Sequence, residues 1–150
     1  MNHVEQANKD VLTIFSKMFV GLKLVLECES FVEGDKGRDE FEVDGLLVAA
    51  NAVIIVEAKR SLREEHVHQV LQTANNVTKY WEAVKLRARD ADWPRIEEYE
   101  IIQVLVAPYA SPQVMASVTE RKEKFVVITD SGETFRVTYT SPELNNLGST

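Results

Sequence analysis

The stretch that most constrains the fold runs from Asp44 to Lys59, where two runs rich in Val, Ile and Leu flank Ala50-Asn51. This pattern predicts a β-hairpin. A turn centred on Ala50-Asn51 sets Asp44 across from Glu57 and Glu42 across from Lys59. Strand alternation then puts Glu42, Asp44, Leu46 and Val48 on one face with Val53, Ile55, Glu57 and Lys59. Val43, Gly45, Leu47 and Ala49 share the other face with Ile54, Val56 and Ala58. The first face is apolar near the turn and charged at its open end; the second is apolar throughout. A hairpin apolar on both faces belongs in the middle of a sheet that is covered on each side.

Against that background the charges at the open end need a reason. Two carboxylates opposed across a ladder stand roughly 5 Å apart at Cβ and destabilise the pair. At an effective dielectric near 20 their repulsion is on the order of 3 kcal/mol. A divalent cation held between them would reverse the sign. The competing reading is a frayed strand end whose charges are separately solvated.

Asp44, then twelve residues, then Glu57-Ala58-Lys59 resembles the core signature of the PD-(D/E)XK nuclease superfamily, with Val43 where the signature has proline. The resemblance covers about residues 4–107 and is similar to compact members of the Holliday-junction-resolvase type and to uncharacterised nuclease-like proteins. It implies a restriction-endonuclease-like core and metal-dependent hydrolysis of phosphodiesters in DNA or RNA. Asp44 and Glu57 would hold Mg²⁺ or Mn²⁺ with the backbone carbonyl of Ala58, and Lys59 would orient water or stabilise charge on the phosphate. Such nucleases usually carry one more acid on the first helix, for which Asp10 and Glu5 are the candidates; Glu27 and Glu29 on the first strand are further ones. Related nucleases often place a Gln on the helix after the Lys, a position that Gln69 fits.

The surroundings have the corresponding order. Val11, Ile14, Phe15, Met18 and Phe19 form a helical stripe over about residues 3–19, ended by Gly21. Strands are predicted at about 22–32, 40–48 and 52–58, with a charged turn at 34–39. Val67, Val70, Leu71, Ala74, Val77, Trp81 and Val84 predict a helix over about 63–86 whose other face carries His66, Gln69, Thr73 and Asn76. His66 and His68 are two apart, cannot easily share an ion, and read as solvated. Trp81 belongs to the core stripe. After a connector containing Asp92-Trp93-Pro94, the apolar run at 101–107 predicts a buried strand. Pro112 opens a helix to about Lys122, and strands at 125–128 and 134–139 flank a turn at 130–133. The order is α-β-β-β-α-β-α-β-β, an α/β fold with a mixed sheet: one nuclease-like domain at 1–140 and a loose tail at 141–150.

Composition qualifies the function. A net charge of −7 opposes binding to a polyanion, because Lys and Arg supply most non-specific affinity for phosphates. Lys36, Arg38, Arg60 and Arg63 lie near the site in sequence and supply a modest basic rim for nucleic acid, DNA in the first instance. The single cysteine, Cys28, excludes an internal disulfide and suits a reducing, intracellular compartment, cytoplasmic or nuclear. No membrane span or signal peptide is evident. Three readings follow: a metal-dependent nuclease; a nuclease-like core that binds nucleic acid or protein without cutting; and an assembly module, dimeric through the region from Ile101 to Tyr139.

Overall fold

In the computed structural model, which describes residues 2–130 and 134–144, the hairpin lies near the centre of a mixed sheet. Its strands are β2 (Asp39–Val48) and β3 (Ala52–Ala58). Before them come helix α1 (His3–Phe15) and strand β1 (Lys23–Glu33). After them come the short β4 (Ser61–Leu62), α2 (Glu64–Lys79), α3 (Trp81–Arg87), β5 (Glu100–Ala107), the short β6 (Tyr109–Ala110), α4 (Pro112–Thr119), β7 (Lys124–Asp130) and β8 (Phe135–Thr140). Among the described residues the main sheet has the order β1-β2-β3-β5-β7-β8, and β4 pairs with β6 alongside it. β3, β5 and β7 are parallel, whereas β1, β2 and β8 join antiparallel. This is the mixed α/β sheet, in the α-β-β-β-α-β order with a later helix and two strands, that the sequence predicts.

The two apolar faces of the hairpin each meet a helical layer. Leu47, Ile54, Val56 and Ala58 pack with Ala7, Val11 and Phe15 of α1. Leu46, Val48, Val53 and Ile55 pack with Val67, Val70, Ala74 and Val77 of α2, and with Val114 and Val118 of α4. Each fully buried Val, Leu or Ile contributes about 2 kcal/mol of transfer free energy. The expected register holds from Gly45 opposite Val56 to Val48 opposite Val53, but the expected pairs Asp44–Glu57 and Glu42–Lys59 lie beyond the end of the ladder.

One expected facing does not hold. Val43 and Phe41 lie in the α2-side cluster together with Leu46, so strict alternation slips between Val43 and Leu46. The cause is a break in both ladders at Asp44. On the β1 side, Glu27 pairs with Gly45 and Glu29 with Val43, and Cys28 between them has a left-handed φ of 53°. On the β3 side, the ladder ends at Gly45 opposite Val56. Beyond it Asp44 Oδ2 accepts the Ala58 N–H at 2.9 Å, a side chain replacing a backbone carbonyl.

The single helix expected over 63–86 is two helices, because the backbone leaves helical geometry at Tyr80 (φ −111°, ψ 35°). The Tyr80 hydroxyl donates to Asp39, and Lys79 pairs with the same carboxylate at 3.2 Å, which ties the end of α2 to the start of β2. The first segment of the expected tail is docked: Ser141 Oγ accepts the Phe125 N–H at 2.8 Å, and Leu144 is buried on the α1 side. Residues 131–133 of the expected turn and 145–150 of the expected tail lie outside the described residues. No helix among the described residues is long and apolar enough to cross a membrane.

Gly45 sits at the strand break for a steric reason. A Cβ there would lie 1.8 Å from Asn8 Oδ1. Gly45→Ala should therefore destabilise the fold by about 2 kcal/mol, as overpacking does. Urea denaturation should show that Asn8→Ala, which removes the obstructing amide, makes Gly45→Ala cost less in the double variant.

Candidate active site

The end of the hairpin opens into a cleft of about 310 Å³ bounded by β2, β3 and α2. Asp44, Glu57 and Lys59 line it from the strands, and Gln69, Gln72, Thr73 and Asn76 from the helix. Three-and-four spacing puts the α2 residues in one polar strip, on the flank of the apolar wall formed by Val67, Val70, Ala74 and Val77. Thr73 and Asn76 are buried, while Gln69 and Gln72 are exposed.

The electrostatics are those of two acids short of positive charge. Glu57 is only 7% exposed. Burial above all, and then repulsion from Asp44, push its carboxyl up to about 7, against the pull of Lys59. Lys59 Nζ stands 3.2 Å from Glu57 Oε1. Asp44 is also raised, chiefly by burial, although the Ala58 N–H and Lys59 favour its charged form. Glu42, exposed on the same wall, adds to the repulsion at both acids.

The candidates for a further acid go elsewhere. Glu5 is exposed in the first turn of α1. Glu29 pairs with Arg87 at 2.9 Å. Asp10 is buried against Asp130 of β7 and accepts from Gln6 Nε2 at 2.9 Å. Glu27 accepts from Asn8 Nδ2 at 2.7 Å. None of the four lines the cleft. Among the described residues no group of three His, Cys, Asp or Glu side chains is placed to hold a metal ion. The four proposed rim cations, Lys36, Arg38, Arg60 and Arg63, are exposed and do not line the cleft, and Arg63 pairs with Glu65 at 2.7 Å.

Two residues at the site carry roles that the sequence reading missed. Asn8, fully buried, donates through Nδ2 both to Glu27 and, at 3.0 Å, to the backbone carbonyl of Asp44. It thereby fastens α1 to the strand break. Its signal in the sequence is a polar residue within the apolar stripe Val4, Val11 and Phe15. His66 is buried instead of solvated, and its Nδ1 accepts the Arg63 N–H at 2.9 Å, closing the first turn of α2. Burial and the nearby Lys59 hold its pKa down, consistent with the neutral ring that accepting at Nδ1 requires. A side chain reaching back to the N-cap N–H is half of a capping box. Arg63 in place of Ser or Thr at the cap hid the pattern.

No protein-family model matches the chain, and no curated protein matches it significantly. Among solved structures, a chain described as part of an EndoMS–dsDNA2 complex aligns with a TM-score of 0.43 and 16% identity over 86% of this chain. The alignment takes in 46% of that chain, so the present chain spans less than half its length.

The buried Asp10 has a measurable consequence. Its carboxyl is raised from 3.8 to about 6, mainly by burial and by Asp130. The folded state then binds its proton more tightly than the unfolded chain does. This contribution to stability is fully present below about pH 4 and is lost as pH rises through about 6. Asp10→Asn keeps an acceptor for Gln6 and removes the repulsion, so it should raise Tm at pH 8 by about 3 °C. Thermal melts at pH 4 should show no such gain.

Proposed function

We propose that the chain is a divalent-metal-dependent nuclease that hydrolyses phosphodiester bonds, with Asp44, Glu57 and Lys59 as its reacting constellation. The observation that carries this reading is the convergence in one open cleft of buried Glu57, half-buried Asp44, both with carboxyls pushed up by burial, and Lys59. The donor set fits Mg²⁺ or Mn²⁺, which are hard cations that prefer oxygen. Mg²⁺ is commonly bound by one or two carboxylates together with water and substrate phosphate, without a full protein cage. Asp44 and Glu57, with exposed Glu42 on the same wall, are acids of such an open cleft.

Asp44 and Glu57 would hold the ion, and the Ala58 carbonyl is the natural third oxygen. The N–H of Ala58 already turns toward Asp44, and in a strand a residue's N–H and C=O point toward the same neighbour. When bound, the ion would polarise the phosphate and lower the pKa of a coordinated water. The protein's own part is positioning. The Ala58 N–H fixes one oxygen of Asp44, and Asn8 holds the Asp44 backbone from behind. Glu57 keeps Lys59 Nζ at the mouth of the cleft, where the ammonium can pair with a phosphate oxygen as negative charge builds on it. Gln69 and Gln72 present exposed amides along the same wall, suited to phosphate or sugar oxygens.

A second reading, a nuclease-like core that binds without cutting, draws on the net charge of −7 and on the lack, among the described residues, of three His, Cys, Asp or Glu side chains placed to hold an ion. The two separate cleanly. The nuclease reading expects cleavage of circular, branched or single-stranded DNA with Mg²⁺ or Mn²⁺. Asp44→Ala and Lys59→Ala should each lower the rate about a hundredfold or more. Undiminished cleavage in either variant would remove the assignment.

Calorimetry tests the metal directly. Mn²⁺ must displace the proton that Glu57 retains up to about pH 7, so binding should tighten from pH 6 to pH 8 and release protons into the buffer. Absence of Mn²⁺ heat at both pH values would favour the non-cutting reading.

A further inference from the structure

A second cavity, of about 330 Å³, opens on the other side of Lys59. Its walls include His3 and Gln6 of α1, Val106 near the end of β5 with Pro108 beyond it, and Asp130 at the end of β7. Three observations bear on what it takes. The first is position: the parallel strands β3, β5 and β7 end at Ala58, Ala107 and Asp130, at the same end of the sheet. Ligands of open α/β sheets bind outside the carboxyl ends of such strands. The second is continuity, because Lys59 lines both this cavity and the acidic cleft. A chain molecule with one phosphate at Lys59 therefore enters the cavity with its adjoining unit.

The third is chemistry. Val106 and Pro108 offer apolar wall, His3 an aromatic ring, and Gln6 an amide. This mixture of apolar surface with a few polar groups suits a flat heterocycle. Asp130, with Asp10 packed against it, disfavours a phosphate in the same space. A nucleobase instead brings amino or imino N–H groups that a carboxylate or amide can accept. Those groups and the faces of the base are available only when it is unpaired and out of the stack.

The geometry points to a subsite for an unpaired nucleobase beside the scissile phosphate, which makes single-stranded or locally unpaired nucleic acid the substrate class. This inference rests on the nuclease reading of the adjoining cleft. It adds a specificity element on α1, outside the Asp-Glu-Lys constellation.

The test uses the full chain with Ca²⁺ in place of Mg²⁺, titrated into single-stranded oligonucleotides carrying 2-aminopurine at successive positions. One position should change its fluorescence on binding, and the single strand should bind about tenfold more tightly than the matching duplex. His3→Ala, which removes the ring, should weaken single-strand binding about tenfold and shift duplex binding less than about twofold. The scan with unmutated protein decides independently of the variant. Equal affinity for both forms, or the same response at every labelled position, overturns the subsite. With Mn²⁺-dependent, Asp44-dependent cleavage retained, that outcome leaves the nuclease reading standing. A position-specific signal with no cleavage of any DNA keeps the base subsite and removes the nuclease reading.

Discussion

The arrangement around the cleft depends on one substitution of partners, the Asp44 carboxylate for a backbone carbonyl at the Ala58 N–H. Had the ladder between β2 and β3 continued, both strands would have run on as ordinary sheet. The carboxylate satisfies the donor that the ladder abandons, so the break costs no orphaned amide. It also holds an acid in place by a bond that a solvated surface aspartate would lack. The rest of the local structure serves this point: Gly45 lets the Asn8 amide approach, Asn8 anchors the carbonyl of Asp44, and Cys28 bends the neighbouring strand through a left-handed residue.

The electrostatic cost is visible in Glu57. A buried carboxylate beside a second one is unstable as an anion, and a single lysine at 3.2 Å does not neutralise the pair. Proteins tolerate such arrangements mainly where the charge is used, since replacing them with apolar side chains would stabilise the fold. The same logic applies less strongly to Asp10 and Asp130. Below about pH 6 a proton retained by Asp10 relieves their burial against one another, and Gln6 donates to one oxygen of Asp10.

Much of the fold was legible from period alone. The alternating and continuous apolar runs fixed the hairpin, its register and its two covered faces. The 3.6-residue stripe fixed α2, although the break at Tyr80 was hidden because Trp81 and Val84 continue the stripe in phase. The candidate site was legible to the extent that strand alternation brings Asp44, Glu57 and Lys59 to one end of the hairpin and helical period puts Gln69 on the polar face of α2: the four line one cleft. What could not be read were features set by tertiary approach. The facing of Val43 depends on a left-handed residue in the neighbouring strand. The fates of Asp10, Glu5, Glu27 and Glu29 depend on where α1 docks, and the roles of Asn8 and His66 on bonds to backbone groups remote from any side-chain pattern.

The left-handed Cys28 also bears on how the molecule keeps to itself. β1 is an outer strand of the sheet, eleven residues long, and a straight strand of that length offers a ready template for another chain. Its pairing with β2 shifts register between Leu24 and Leu26, and φ at Cys28 turns positive, so no long flat row of free amides and carbonyls is presented. Lys23 and Ser30 are exposed along it, and a buried lysine stem or a polar hydroxyl makes a poor seam between sheets. The distortion that breaks the ladder at Asp44 therefore also guards the sheet's open margin against edge-to-edge aggregation.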